Sequence, residues 1–463
     1  IRSLLGSDSE ERRQAMSTDQ VVSDGARELF VGRLVPQETL VALADYTPFY
    51  IYDLATVQRR YRELTTALPP QVQVYYAIKA NPSLRLVQEL TALGAGMEIA
   101  SAGELAVAER LGISGDRVLF TGPAKTDDEL AASVRYGLRT INVESLGEAR
   151  RLDSIVAAEA QHADSLHRRQ PILLRVNARF EVHDADAAVQ LGGGAQKFGV
   201  DEEQLDDVLP QILKLRHLDL QGVHVFAATG VLESTLLVEY TRHVFELVQR
   251  LERHYRRRFP VVDLGGGLGV DYRAFPGRDL DLAHYAASLR GLIATFGFGD
   301  KEIALELGRY LVGEAGTYVV RVLDVKHSRG TDYALVDGGT NHFRRPVAVR
   351  QDHPVTLLLP ATGSESGTGA VVEDHRGSPR TYAIGGPLCT SIDVIARAAL
   401  LPSLREGDLL ALHKAGAYGL TMSSLAFLSH AWPAEYLLEM DGTVTLIREP
   451  LDPTTLFAGQ HYR

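Results

Sequence analysis

From about Tyr50 to Arg309 short apolar runs alternate with amphipathic, helix-patterned stretches, and this rhythm restricts the fold more than any other feature of the chain. The candidate strands are Val72–Lys79, Gly96–Ala100, Arg117–Thr121, Arg139–Val143, Ile172–Val176, Leu218–Phe226, Val261–Leu264 and Glu302–Glu306. Runs this short and this apolar suit strands buried on both faces of a parallel sheet. Helix starts are signed between them, because Ser101-x-x-Glu104, Thr126-x-x-Glu129 and Ser145-x-x-Glu148 carry the capping-box pattern. Eight such units predict an α/β fold, a (β/α)8 barrel, with an open doubly wound sheet as the alternative.

After about Leu311 the rhythm changes to strand-like runs without helices between them. Thr317–Lys326, Asp332–Val336, Val355–Leu359, Asp408–His413, Glu435–Met440 and Thr443–Ile447 predict a second, mostly β domain. Ala158–Gln170 reads as a surface insertion, and Ala361–Arg380, rich in Gly, Ser and Thr, as a mobile excursion. The expected division is a polar extension over 1–27, strand material joining the β domain over 28–48 (Leu29–Leu34), the barrel over 49–310 and the β domain over 311–463.

Composition narrows the partners. A net charge of −11 without a long basic run argues against nucleic acid and anionic membranes, and leaves small molecules. The one cysteine, Cys389, precludes an intrachain disulfide or a Cys-rich zinc site and fits a cytoplasmic setting. No run approaches the ~18 apolar residues of a membrane span.

In a barrel of this kind chemistry sits at the strand C-termini, and unusual residues fall there. Lys79 ends the first predicted strand, Glu98 and Ser101 end the second, Arg175 ends the fifth, and His224 and Phe226 end the sixth. Gly265-Gly266-Gly267 follows the seventh, while Glu306 ends the eighth just before Gly308-Arg309. Partial burial would lower the Lys79 pKa and suit a Schiff-base amine; the alternative is a lysine snorkelling to water. The glycine run fails the dinucleotide fingerprint, since its last glycine position holds Val270. Its backbone N–H groups can instead approach a phosphate, with a plain tight turn as the alternative. A strand-end lysine, a phosphate cradle and a strand-end acid together describe a pyridoxal phosphate site, in which Glu306 bonds the pyridine nitrogen and keeps it protonated.

With these residues the chain resembles the fold type III pyridoxal phosphate decarboxylases, the group of diaminopimelate and ornithine decarboxylases, from about Thr47 to Ile447. The likeness rests on Tyr76-Ala77-Ile78-Lys79-Ala80-Asn81, Asp263–Gly267, Glu306-Leu307-Gly308-Arg309, Gly386-Pro387-Leu388-Cys389 and Ala415-Gly416-Ala417-Tyr418-Gly419. It implies an alanine racemase-like pairing of barrel and β domain, pyridoxal 5'-phosphate, and a head-to-tail homodimer with shared sites. It makes Cys389 the acid that reprotonates the decarboxylated carbon in the neighbouring subunit's site, against the plain reading of a small buried hydrophobe. It also sets Tyr418 on the phosphate of the neighbouring subunit's cofactor, Glu98 beside Lys79, and Arg175 against Glu306 or the ring oxygen. His224 reads as a packed strand residue. Arg309, Arg345, Cys389, Thr390 and Tyr418 would surround the substrate.

Three departures bear on that substrate. The family's His-x-Gly-Ser segment aligns with Val225-Phe226-Ala227-Ala228-Thr229, leaving Phe226 to stack on the ring and Thr229 to reach the phosphate. Thr390 stands where an acid would grip a distal ammonium, and no tyrosine closely follows Arg345-Pro346. The expected reaction is therefore α-decarboxylation of an amino acid whose far end is neutral, acylated or tethered to a carrier protein, releasing CO2 and an amine. The alternatives are diaminopimelate decarboxylation, racemisation, against which Glu306 speaks, and a non-catalytic homologue that binds a protein partner.

Overall fold

The structure, a computed structural model, describes residues 35–161, 169–180, 189–190, 194–226, 228–275, 277–358 and 378–461. The expected extension over 1–27, the Leu29–Leu34 strand, the core of the 158–170 insertion and most of the 361–380 excursion lie outside them.

All eight expected barrel strands are present: β2 (Val72–Ala77), β3 (Gly96–Ile99), β4 (Val118–Phe120), β5 (Thr140–Val143), β6 (Gln170–Asn177), β7 (Leu218–Val225), β8 (Val261–Asp263) and β9 (Glu302–Leu307). Each pairs in parallel with the next, and β9 returns to β2, which closes the barrel and excludes the open sheet. Helices fill the crossovers. In Ser234–Tyr255 the buried positions Leu237, Thr241, Val244, Val248 and Leu251 recur every three or four residues, so one stripe faces the sheet. The three signed helix starts all use their hydroxyls. Ser101, Thr126 and Ser145 accept from the N–H groups of Glu104, Glu129 and Glu148, each worth about 1 kcal/mol. Only Thr126 completes the reciprocal box. Glu104 turns instead to the Ala100 N–H, and Glu148 to the Lys125 ammonium.

The second unit is a nine-stranded sheet. Its strands are β1 (Phe49–Asp53), β10 (Gly316–Ser328), β11 (Thr331–Val336), β12 (Val355–Leu358), β13 (Arg380–Gly385), β14 (Val394–Leu401), β15 (Leu409–Leu412), β16 (Ala434–Leu438) and β17 (Val444–Arg448). The first strand lies where the barrel was expected to begin, yet it pairs antiparallel with β10 and parallel with β16. Its five residues are all buried, and Asp53 at its end caps the following helix by accepting from Ala55 and Thr56. Tyr50 fixes the junction: its ring stacks 4.6 Å from Tyr318 and its hydroxyl donates to the His342 carbonyl. Among the described residues no helix is long and apolar enough to cross a membrane.

Candidate active site

The first strand of the barrel stops two residues short of Lys79, which sits in the single helical turn Ile78–Ala80. The turn is pinned to the β domain, because Tyr418 donates its N–H to the Ala80 carbonyl at 2.7 Å and the Asn81 amide donates to the Gly416 carbonyl at 3.0 Å. Tyr418 adopts a left-handed φ of +56°, which a bulky residue rarely takes up unless its surroundings impose it. Gly308 lets the following chain close in, since a Cβ there would meet Ala80 Cβ at 2.7 Å.

Lys79 opens onto the barrel mouth with 41% of its side chain exposed, while Nζ donates to both oxygens of the fully buried Glu98 at 2.8 Å. Burial alone would lower its pKa, but Glu98 and Glu306 outweigh that and hold the ammonium above its usual value. The expected lowering is thus reversed, because the strand end faces two carboxylates. In Glu98 burial dominates and pushes the carboxyl up to about 7 against the pull of Lys79.

Glu306 lies across the mouth and collects donors from neighbouring strands. Thr121 Oγ1 donates to its Oε1 at 2.6 Å, Asn142 Nδ2 approaches the same oxygen at 3.3 Å, and His224 Nε2 stands 3.4 Å from Oε2. Burial opposes its charge, yet His224, Lys79 and Thr121 keep the carboxyl below the ordinary range. Asp263 belongs to the same cluster, with His224, Asp263 and Glu306 each placing a ligand atom within 4.8 Å of the others. Thr121, Asn142 and Asp263 were not singled out as site residues from the sequence. Their signal was available, since each is a polar residue at or near the end of an apolar barrel strand.

The glycine run sits beside this cluster. Gly265 and Gly267 take positive φ of +62° and +121°, and the Gly265 N–H donates to Asp263 Oδ1. A Cβ on Gly265 would strike the Phe226 ring at 2.7 Å, so that ring lies against the run. Just past Thr229, Val231 exchanges backbone bonds with Gly267 and Gly269, joining this loop to the glycine loop.

Arg309 lies between two rings. Its Nη1 donates to the Tyr272 hydroxyl at 3.3 Å, and its guanidinium carbon is 4.9 Å from the centre of the Tyr418 ring. Tyr418 therefore lies at the mouth of its own chain, whereas the expectation set it on the phosphate of the neighbouring subunit's cofactor. The reason is local: the Ala80 carbonyl captures its backbone. Arg175 also departs from expectation. Its Nη1 donates to Glu144 at 2.7 Å and its guanidinium packs on Phe198, so Glu144 rather than Glu306 is its partner.

Arg345 is 1% exposed and stacks 3.6 Å over Tyr272, with one Nη donating to His353 Nε2 and the other to Gln351. Burial and the nearby Arg309 bring its guanidinium down to about 10. Cys389 and Thr390 sit on the loop between β13 and β14, where the thiol is exposed and, among the described residues, has no hydrogen bond to the barrel mouth. A cavity of about 780 Å³ lies at the opposite end of the barrel, lined by Tyr75, Arg139 and Glu302, and contains none of this chemistry.

A barrel mouth with a lysine facing an acid beside a glycine cradle defines the class, and the chain belongs to the pyridoxal-dependent decarboxylases: the family's pyridoxal binding domain matches residues 54–313. It is a carboxy-lyase that uses pyridoxal phosphate. Among its relatives, the L-glutamyl-(BtrI acyl-carrier protein) decarboxylase of Niallia circulans is 31% identical over 87% of this chain and 91% of its own. The 2-((L-alanin-3-ylcarbamoyl)methyl)-2-hydroxybutanedioate decarboxylase of Staphylococcus aureus is 32% identical over 86% and 95%. The diaminopimelate decarboxylase of Helicobacter pylori, solved with L-lysine, has a TM-score of 0.76 at 26% identity, covering 93% of this chain and 98% of its own. The residues present fit the cofactor. Lys79 offers an amine to the mouth, Glu306 a buried carboxylate, and Arg309 a buried Nε without a hydrogen-bond partner among the described residues.

Proposed function

We propose that the protein decarboxylates an amino acid whose far end is derivatised, acylated or tethered to a carrier protein. The observation that carries this reading is the state of Arg345. A guanidinium that would grip a remote carboxylate is here sealed under Tyr272 and already hydrogen-bonded to His353 and Gln351. Thr390, lacking charge, offers no ion pair to a distal ammonium either. A site without partners for a charged tail disfavours that tail. Two of the relatives described above have names that specify derivatised amino acids, one of them on an acyl-carrier protein, which supports the same reading.

Pyridoxal phosphate supplies an electron sink for the bond to the departing carboxylate. In this reading Lys79 would hold the aldehyde, the Gly265–Gly267 run and Arg309 would hold the phosphate, and Phe226, beside that run, would pack against the cofactor. Glu306 keeps a proton on the pyridine nitrogen, which the electron sink requires. Cys389, whose thiol is exposed, delivers the proton to the α-carbon in the site of a second copy. The assembly is then a homodimer with shared sites, working in the cytoplasm.

The test is CO2 release by cofactor-loaded protein offered free diaminopimelate, ornithine, lysine and arginine alongside amide and thioester derivatives of amino acids. Turnover confined to derivatives is expected; efficient turnover of free diaminopimelate overturns the reading.

A further inference from the structure

Behind Glu306 lies a group of buried polar atoms that packing does not explain. His224 is fully buried, and neither ring nitrogen has a hydrogen-bond partner among the described residues. Its Nε2 stands 3.4 Å from Glu306 Oε2, so a small turn of the ring lets its N–H donate to that carboxylate. Asp263 is equally buried, with Oδ1 engaged by the Gly265 N–H and Oδ2 without a partner among the described residues. Each orphaned buried group costs about 1–3 kcal/mol, and both residues that carry them place an atom within 4.8 Å of a Glu306 oxygen. The strands hold them rigidly: Asp263 and His224 are paired in register, and Asp263 is paired with Ala304, two residues before Glu306.

We propose that His224 and Asp263 are positioning residues that act through Glu306, His224 as a donor that keeps its carboxylate ionised and aimed, and Asp263 as a neutral acid beside it. The inference rests on Glu306 being the partner of the pyridine nitrogen. The groups facing the cluster are the Lys79 ammonium and Glu98 across the mouth, with Thr121 and Asn142 as uncharged donors. Arg175, beside His224 on the next strand, is occupied by Glu144. Burial, then Glu306, pushes the Asp263 carboxyl well above its ordinary range, in keeping with a neutral acid. With two carboxyls so close and only one charged, the cluster presents a single negative charge toward the mouth.

The test uses whole protein loaded with pyridoxal phosphate carrying nitrogen-15 in its ring, read by the ring nitrogen's chemical shift and by steady-state kinetics. The native protein should show a protonated nitrogen. His224→Phe should move the shift toward the unprotonated value and lower kcat by roughly 10- to 100-fold, as expected for losing one hydrogen bond to a charged group, with KM little changed. Asp263→Asn should keep the nitrogen's proton, because the amide replaces a neutral acid and still accepts from Gly265. A His224→Phe protein with unaltered shift and kcat, or an Asp263→Asn protein that loses the proton, overturns the proposal. Should His224→Phe not fold, His224→Gln, which retains a donor, must keep the protonated shift, and its loss also overturns the proposal. Failure of the underlying reading looks different: the native protein would then itself show an unprotonated ring nitrogen.

Discussion

Gly266→Ala separates a glycine run built for close approach from one that merely turns the chain. A Cβ on Gly266 would lie 2.5 Å from the Glu306 carbonyl oxygen and 3.4 Å from the Phe226 ring. To restore ordinary contact the two segments must part by about 0.9 Å, which stretches the 2.8 Å bond from the Glu306 N–H to the Gly265 carbonyl out of bonding range. Overpacking of this kind costs about 1–3 kcal/mol and the broken bond about 1 more, so a loss of about 2–4 kcal/mol is expected in urea unfolding without cofactor. Because the shift displaces both the glycine run and Glu306, pyridoxal phosphate affinity, followed by absorbance titration, should fall by about ten-fold or more. Gly291→Ala is the matched control. That glycine lies within the Leu282–Phe296 helix with nothing within 4 Å of its added Cβ, and alanine should stabilise by up to about 1 kcal/mol. If Gly266→Ala unfolds within about 0.5 kcal/mol of the native protein, the close-approach argument is wrong. If it is destabilised but binds cofactor normally, the run is a turn and not a cradle.

Two further substitutions probe the charges. Glu98→Gln removes the main partner holding the Lys79 ammonium protonated, so the amine becomes free at lower pH; the pH profile of cofactor capture, followed by stopped-flow absorbance, should shift downward, and an unchanged or upward-shifted profile contradicts the assignment. Lys125→Met strands the buried Glu148 carboxylate and should cost about 3–5 kcal/mol in urea unfolding, most of it recovered in Lys125→Met/Glu148→Leu; equal stabilities of the single and double variants would count against this account.

The barrel was legible because its signals are local. Three of the apolar runs are followed closely by a capping hydroxyl, helical stripes separate the runs, and the polar strand ends stand out against such neighbours. The β domain was read less completely, for physical reasons. Phe49–Asp53 runs straight into a helix that Asp53 caps, so it mimics the first half of a βα unit, and its pairing with Ala434–Leu438 leaves no local trace. The pair β13 and β14 was missed because β13 joins the sheet through β11, which lies before the long 359–377 stretch. Within the site Lys79, Glu98, Glu306 and the glycines came together as expected, because a closed barrel brings consecutive strand ends to one mouth. Arg175 and Tyr418 did not, because their partners, Glu144 and the Ala80 carbonyl, are chosen by tertiary contacts that spacing does not encode. His224 read as mere packing because the acids that give it meaning come from two other strands.

The position of β1 between β10 and β16 makes the barrel an insertion within the β domain. During synthesis the barrel strands are complete once Leu307 has emerged, whereas the sheet that carries the Gly416–Tyr418 loop must wait for Ala434–Leu438. The lysine and every barrel strand are therefore synthesised before the loop that pins the lysine's turn. A chain stopped short of Ala434 would contain every barrel strand but leave β1 without one of its two partners.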